Sequence, residues 1–156
     1  MLRDTNALAH VIQTYAKTKR LRRGKQLHAL LICAGYTPCT FLTNHLVNMY
    51  SKCGELDHAL KLFDTMPQRN LVSWTAMISG LSQNSKFSEA IRTFCGMRIC
   101  GEVPTQFAFS SAIRACASLG SIEMGKQMHC LALKFGIGSE LFVGSNLEDI
   151  DRKSVV

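Results

Sequence analysis

Seven cationic side chains, Arg3, Lys17, Lys19, Arg20, Arg22, Arg23 and Lys25, stand in the first 39 residues, with Asp4 as the only acid among them. Their chemistry is electrostatic. Such a run attracts an anionic partner, a nucleic acid or a membrane surface, or else forms a solvated basic face. The whole chain of 156 residues carries a formal charge of +7. Its seven Cys, with His28 and His129, are the other groups that could do chemistry. Their spacing is not that of a metal site. Cys95 and Cys100 are five apart on one helical stretch, with no second Cys or His pair in reach, whereas structural zinc needs four converging ligands. Cys33, Cys116 and Cys130 read as small apolar fillers. The thiols are expected to be reduced, because no secretory signal precedes them and their number is odd. No phosphate-cradling Gly loop with Lys and Ser/Thr is present, nor a Gly-x-Ser-x-Gly elbow. The chain is therefore expected not to be an enzyme and to hold no cofactor or metal.

The elements that must carry these side chains are repeated. Leu56, Ala59, Leu60, Phe63 and Met66 make one apolar helix face by their i, i+3, i+4, i+7 spacing. An offset of 31 residues gives Phe87, Ala90, Ile91, Phe94 and Met97. Offsets of 35 on either side lead to "GKQLH" at Gly24–His28 and "GKQMH" at Gly125–His129. His28 and His129 thus stand where Phe63 and Phe94 stand, which makes them packed, hydrogen-bonded residues of a helix face rather than ligands. A partner helix precedes each copy, with Val11/Ile12, Leu46/Val47, Met77/Ile78 and Ala112/Ile113 in equivalent places. The breaks "SKCG", "QNSK" and "SLGS" separate the members of a pair. Pro38, Pro67 and Pro104 fall where one pair gives way to the next.

First helices are expected over 6–17, 41–51, 72–83 and 107–118, and second helices over 21–34, 55–66, 87–99 and 122–135. One pair cannot bury its apolar stripe alone, but stacked pairs can. The expected fold class is therefore all-α, an α-solenoid with a concave groove. No apolar run approaches the ~20 residues of a membrane span, so no membrane partner is expected.

The unit lengths, their order and their phrases together resemble plant pentatricopeptide repeat proteins of the class that mixes long, short and standard units. "LVNMYSKCGELDHALKLFDTMPQRN" resembles a short unit, "LVSWTAMISGLSQNSKFSEAIRTFCGM" a standard one, and "FAFSSAIRACASLGSIEMGKQMHCLALKFG" a long one. The resemblance covers about 5–147. It implies units at 5–39, 40–70, 71–105 and 106–140, a partial fifth at 141–147, and a right-handed superhelix. The Trp, Leu-Gly and Tyr pattern of tetratricopeptide repeats is missing. So is the His-x-Glu and paired-Cys deaminase domain that longer pentatricopeptide relatives carry.

What the resemblance implies for function is single-stranded RNA binding, one base per unit, in organellar RNA processing or editing in a mitochondrion or chloroplast. Bases would be read by the fifth and last residues of each unit. Here those pairs are Ala9 with Cys39, Asn44 with Asn70, Thr75 with Thr105, and Ser110 with Glu140. Asn amides offer both donor and acceptor to a Watson–Crick edge, whereas Ala9 has no polar group to offer. Lys17, Lys19, Arg20, Arg22 and Arg23 are the candidate phosphate contacts. Alternatives are a protein–protein scaffold using the same groove, including RNA-processing partners, or a truncated product with little activity of its own. Two expectations concern the C-terminal end. Glu148 falls where earlier units place Ile12, Val47, Ile78 and Ile113, and Asp151 where Tyr50 sits, so 148–156 is expected to be frayed or solvent-exposed. The apolar side of 122–135, with Leu131, Leu133, Phe135 and Ile137, is expected to support self-association.

Overall fold

The computed structural model describes residues 4–36 and 39–137. Its described residues form eight α-helices and no strands: α1 (Thr5–Lys17), α2 (Leu21–Cys33), α3 (Thr40–Lys52), α4 (Leu56–Thr65), α5 (Leu71–Gln83), α6 (Phe87–Ile99), α7 (Gln106–Ser118) and α8 (Ile122–Lys134). Each lies within one residue of the span its apolar periodicity predicts. At α1, α5 and α7 the start one residue early follows a side-chain cap, from Asp4, Asn70 and Thr105. Asp4 accepts from the Asn6 and Ala7 amides at 2.9 and 3.3 Å, which starts α1 one residue early.

The odd-numbered helices α1, α3, α5 and α7 stack on one another in a row. The even-numbered helices pack against that row and not against each other, giving the two-layered stack of a solenoid. The seam between layers is built from the repeated positions. Ile12, Val47, Ile78 and Ile113 are completely buried, as are Ala59, Ala90, Phe94 and Met97 of the second row. A buried aliphatic side chain of this kind contributes about 1.5–3 kcal/mol. Ring contacts link successive pairs: Phe63 meets Trp74 edge-on at 4.9 Å, and Phe94 meets Phe109 at 5.1 Å.

Within each pair the turn passes through one left-handed residue. Gly54 and Gly120 fill that place in the second and fourth pairs, with φ of 82° and 68°. Lys19 and Ser85 fill it in the first and third, with φ of 51° and 61°. For a side chain with a Cβ this conformation costs roughly 1–2 kcal/mol. The second pair is four residues shorter at its end. Its α4 has ten residues and closes on an extended Met66 before Pro67, where α2, α6 and α8 are each followed by a left-handed Gly35, Gly101 or Gly136.

Two expectations about cysteine are corrected. Cys33 and Cys130 are exposed on the outer row, and only Cys116 is a buried filler. Periodicity places a residue on a helix, but the outer row has a solvent face as well as a core face. Burial pushes the Cys116 thiol up to about 11. Among the described residues no group of His, Cys, Asp and Glu is arranged to hold a metal ion, and no helix is long and apolar enough to cross a membrane. The expectations for 141–147 and the 148–156 tail lie outside the described residues.

Candidate functional site

The stacked row of α1, α3, α5 and α7 carries a polar stripe at i, i+4, i+8. It reads Ala9–Gln13–Lys17 on α1, Asn44–Asn48–Lys52 on α3 and Thr75–Ser79–Gln83 on α5. Four-residue steps keep these side chains on one side of each helix.

At the start of the stripe the structure brings Asn44 and Asn70 together. Asn44 Nδ2 donates to Asn70 Oδ1 at 3.2 Å, across 26 positions of sequence. Asn70 is also the N-cap of α5 and forms a capping box with Ser73: its Oδ1 accepts from the Ser73 amide at 3.0 Å, and its own amide donates to Ser73 Oγ at 3.2 Å. Ser73 Oγ further donates to Asn44 Oδ1 at 2.7 Å. Both amide carbonyls therefore have protein partners. Asn44 is 7% exposed while Asn70 is exposed. The open polar group of the pair is chiefly the Asn70 Nδ2, a donor. Ser73 was not legible as part of this site; its signal is only that it stands three residues past a helix-starting Asn.

Thr75 and Thr105 are the next pair, with hydroxyls 3.4 Å apart. Thr105 also caps α7 by accepting from the Ala108 amide at 3.2 Å. The other two pairs differ. Ala9 is buried and apolar, and Cys39 is half-buried. Ser110 is buried on α7, and its expected partner Glu140 lies outside the described residues.

A cavity of about 550 Å³ opens in front of Asn44 and Asn70. Phe41 and Val72 supply apolar walls, and Gln13, His45 and Asn48 supply polar groups. Phe41, Val72 and Phe107 occupy equivalent places one residue into α3, α5 and α7, and all three are exposed. Sequence reasoning passed over them, although their signal was visible: apolar residues recurring at the unit spacing but out of phase with the buried stripe.

At the far end of the stripe Lys17, Lys19 and Lys52 line a second cavity of about 440 Å³, with Ala16, Ser51, Gln83 and Asn84. Lys52 stands 35 residues beyond Lys17 and was not singled out from sequence. Arg20 precedes α2, and Arg22 and Arg23 lie in its first turn; all three are exposed and none lines this cavity. Asn84 ties the cavity wall together by donating to the Ser51 carbonyl at 2.8 Å. Asn44 and Lys52 are separated by about 12 Å along α3, at 1.5 Å per residue.

Two sequence-family models match the middle of the chain: the PPR repeat over residues 41–71 and the PPR repeat family over 69–118. The chain belongs to the pentatricopeptide repeat family. A mitochondrial pentatricopeptide repeat-containing protein of Arabidopsis thaliana is 41% identical over 132 residues, covering 85% of this chain and 17% of that protein. A chloroplastic one from the same plant is 38% identical over 144 residues, covering 92% of this chain and 17% of that protein. This pentatricopeptide repeat chain thus spans about a fifth of the length of the curated relatives it matches. Among solved structures, the maize pentatricopeptide repeat protein PPR10 superposes with a TM-score of 0.80 at 19% identity, over 97% of this chain and 22% of that one. PPR10 in complex with an 18-nt psaJ RNA element gives 0.80 at 20% identity, over 96% and 23%. The solenoid fold is shared with both.

Proposed function

We propose that this chain binds single-stranded RNA along the stripe of its first-row helices. The observation that carries the reading is the Asn44–Asn70 pair, set between the apolar walls Phe41 and Val72, with a lysine-lined cavity at the other end of the same helices. A base has two apolar faces and a polar edge. Phe41 and Val72 suit the faces, and the Asn70 Nδ2 suits an acceptor on the edge. Lys17, Lys19 and Lys52 suit phosphates, with the nucleotide lying along the helix between them. Lys19 keeps a cation at a left-handed position that the second and fourth pairs give to glycine and the third to Ser85, and strain of this kind concentrates at functional sites. Support from the comparisons is the family itself and the RNA named in the PPR10 complex.

The units proposed are 5–39, 40–70, 71–105 and 106–140, in the long, short and standard pattern. In this scheme the first unit grips without reading, because Ala9 is buried and apolar. Relatives named mitochondrial or chloroplastic favour an organellar role in RNA processing. The exposed Leu133 and Phe135 favour self-association through the α8 end.

A salt titration of binding to oligouridine and oligocytidine tests the reading. Each phosphate contact released should contribute about −0.7 to the slope of log K against log salt for a single strand. Lys52→Ala and Lys17→Ala are each expected to flatten that slope by roughly one such step. No binding to either polymer at low salt would overturn the proposal.

A further inference from the structure

One turn beyond the base-facing pair, a second tier of cross-pair contacts runs along the first-row helices. Gln13 Nε2 donates to His45 Nδ1 at 3.3 Å, joining α1 to α3. Ser79 and Ser111 hydroxyls meet at 3.1 Å, joining α5 to α7. These are the same two repeat positions. The intervening step, α3 to α5, has Asn48 and Ala76 at these two positions, and both line the cavity at Asn44 and Asn70. Alanine has no polar atom, so the rung is missing. The Asn48 side chain consequently has no hydrogen-bond partner among the described residues, and its half-buried amide lines the same cavity as Asn44 and Asn70.

His45 lines that cavity too. Its Nδ1 is taken by Gln13, which leaves Nε2–H as the open donor, and Phe41 holds the ring edge-on at a centroid distance of 4.9 Å. Burial lowers the His45 pKa, so the ring is neutral at physiological pH. The cavity therefore holds a fixed uncharged donor at His45, next to Asn44 on α3, and a free amide at Asn48, one helical turn past Asn44 and one turn short of Lys52. A nucleotide with its base edge at Asn70 and its phosphate at the lysines must lay its sugar across this tier.

We propose that His45 and Asn48 hold the ribose 2′-hydroxyl of the nucleotide whose base meets Asn44 and Asn70, which makes this step of the groove selective for RNA over DNA. The inference rests on the RNA reading given above. A hydroxyl both accepts and donates: it accepts from His45 Nε2–H and donates to Asn48 Oδ1. The 2′-hydroxyl is the group by which a protein distinguishes the two nucleic acids at one site.

The test compares uridine oligonucleotides carrying ribose, 2′-deoxyribose or 2′-fluororibose at fixed salt, by fluorescence anisotropy. Ribose is expected to bind about 3- to 30-fold more tightly than either substitute, the size of one or two lost hydrogen bonds. Asn48→Ala and His45→Phe are each expected to reduce that ratio at least 2-fold while the uridine-to-cytidine preference stays in place. Equal binding of ribose and deoxyribose would overturn the proposal. So would a 2′-fluoro strand that binds like RNA, since sugar pucker would then explain the preference, or a ratio unmoved by both variants. Absence of binding to all three strands would instead remove the RNA reading itself.

Discussion

Tyr50 places its hydroxyl 2.9 Å from Nδ1 of His28, joining α3 to α2 beneath the lattice of apolar contacts. The tyrosine ring stacks on His58 at 5.2 Å on its other side, and His58 meets Glu55 at 2.9 Å, with Lys25 at 3.5 Å from the same carboxylate. Burial, and then the neighbouring His58, lower the pKa of His28. The depressed folded value means that the unfolded chain takes up the proton first as pH falls. Stability from this group is complete above its ordinary value of 6.5 and declines as pH drops through the lowered value. Urea melts at pH 7.5 and 5.5 should show the loss. His28→Phe, which copies Phe63 and Phe94, should flatten this dependence while costing about 1–2 kcal/mol at pH 7.5, because it strands the buried Tyr50 hydroxyl. The slope left in the variant belongs to His45, whose pKa burial also lowers.

Gly80 and Gly24 are both buried, and both let neighbouring helices approach closely, but they differ in what a side chain would meet. A Cβ on Gly80 would stand 2.6 Å from Ser51 Cβ, a short side chain with nowhere to move. On Gly24 it would meet the thioether end of Met49, which can swing away. Gly80→Ala is expected to destabilise by about 1–3 kcal/mol through overpacking. Gly24→Ala should come out near neutral, with a helix-propensity gain of up to ~1 kcal/mol offsetting the smaller strain. Chemical denaturation of the two variants checks the contrast. Equal effects would mean that Ser51 yields as readily as Met49.

The fold was legible because the information is redundant. Ile12, Val47, Ile78 and Ile113 each repeat the same statement about one buried seam, and the glycines and prolines mark where helices stop. The shorter second helix pair was legible from its offset, and its physical reason is the missing left-handed glycine after α4. Side-chain placements at the candidate site were legible only where one residue type suffices. Asn44 and Asn70 could be paired by repeat position. That their carbonyls are consumed by Ser73 depends on a capping box, whose geometry a spacing rule does not reveal. Asn48, Lys52 and Phe41 depend on which helix lies beside which. Cys33 and Cys130 went wrong for the same reason: periodicity says that a residue is on a helix and leaves open whether another layer covers it.

Lys19 and Ser85 occupy the same strained turn position, and only Lys19 faces the lysine-lined cavity. Replacing either by glycine should relieve the left-handed strain and raise stability by about 1 kcal/mol. Their effects on RNA binding should part. Lys19→Gly is expected to weaken binding several-fold at low salt and to flatten its salt dependence, while Ser85→Gly leaves both unchanged. Thermal melts and anisotropy on the same two proteins decide it. If Lys19→Gly stabilises the chain without touching affinity, the lysine has no part in holding phosphate.

Leu133 and Phe135 are 55% and 41% exposed, whereas Leu131 and Ile137 are half-buried and pack on the core. Only the first two are available for self-association. Sedimentation velocity over a hundredfold concentration range is expected to show a reversible increase in mass, and Leu133→Lys to abolish it without loss of helix content. A monomer throughout that range would remove the α8 end as an interface between copies.

Asn70→Asp separates base reading from simple charge. The aspartate keeps the cap of α5, because one oxygen can still accept from the Ser73 amide. Its second oxygen takes the place of the open Nδ2, so a donor in the groove becomes an acceptor. Uracil offers an N3–H donor to that acceptor, whereas cytosine offers an unprotonated N3. Added negative charge should weaken both polymers through the phosphates, and the changed edge should move their ratio toward uridine by roughly 5- to 150-fold, the 1–3 kcal/mol of a good base contact. Anisotropy titrations of oligouridine and oligocytidine at one salt concentration isolate the second effect, since the charge term cancels in the ratio. Asn70→Ala serves as the control: it loses the cap, costs about 1 kcal/mol of stability, and should lower discrimination without reversing it. An unchanged ratio in Asn70→Asp, with RNA still bound, would mean that the groove grips the backbone alone at this step.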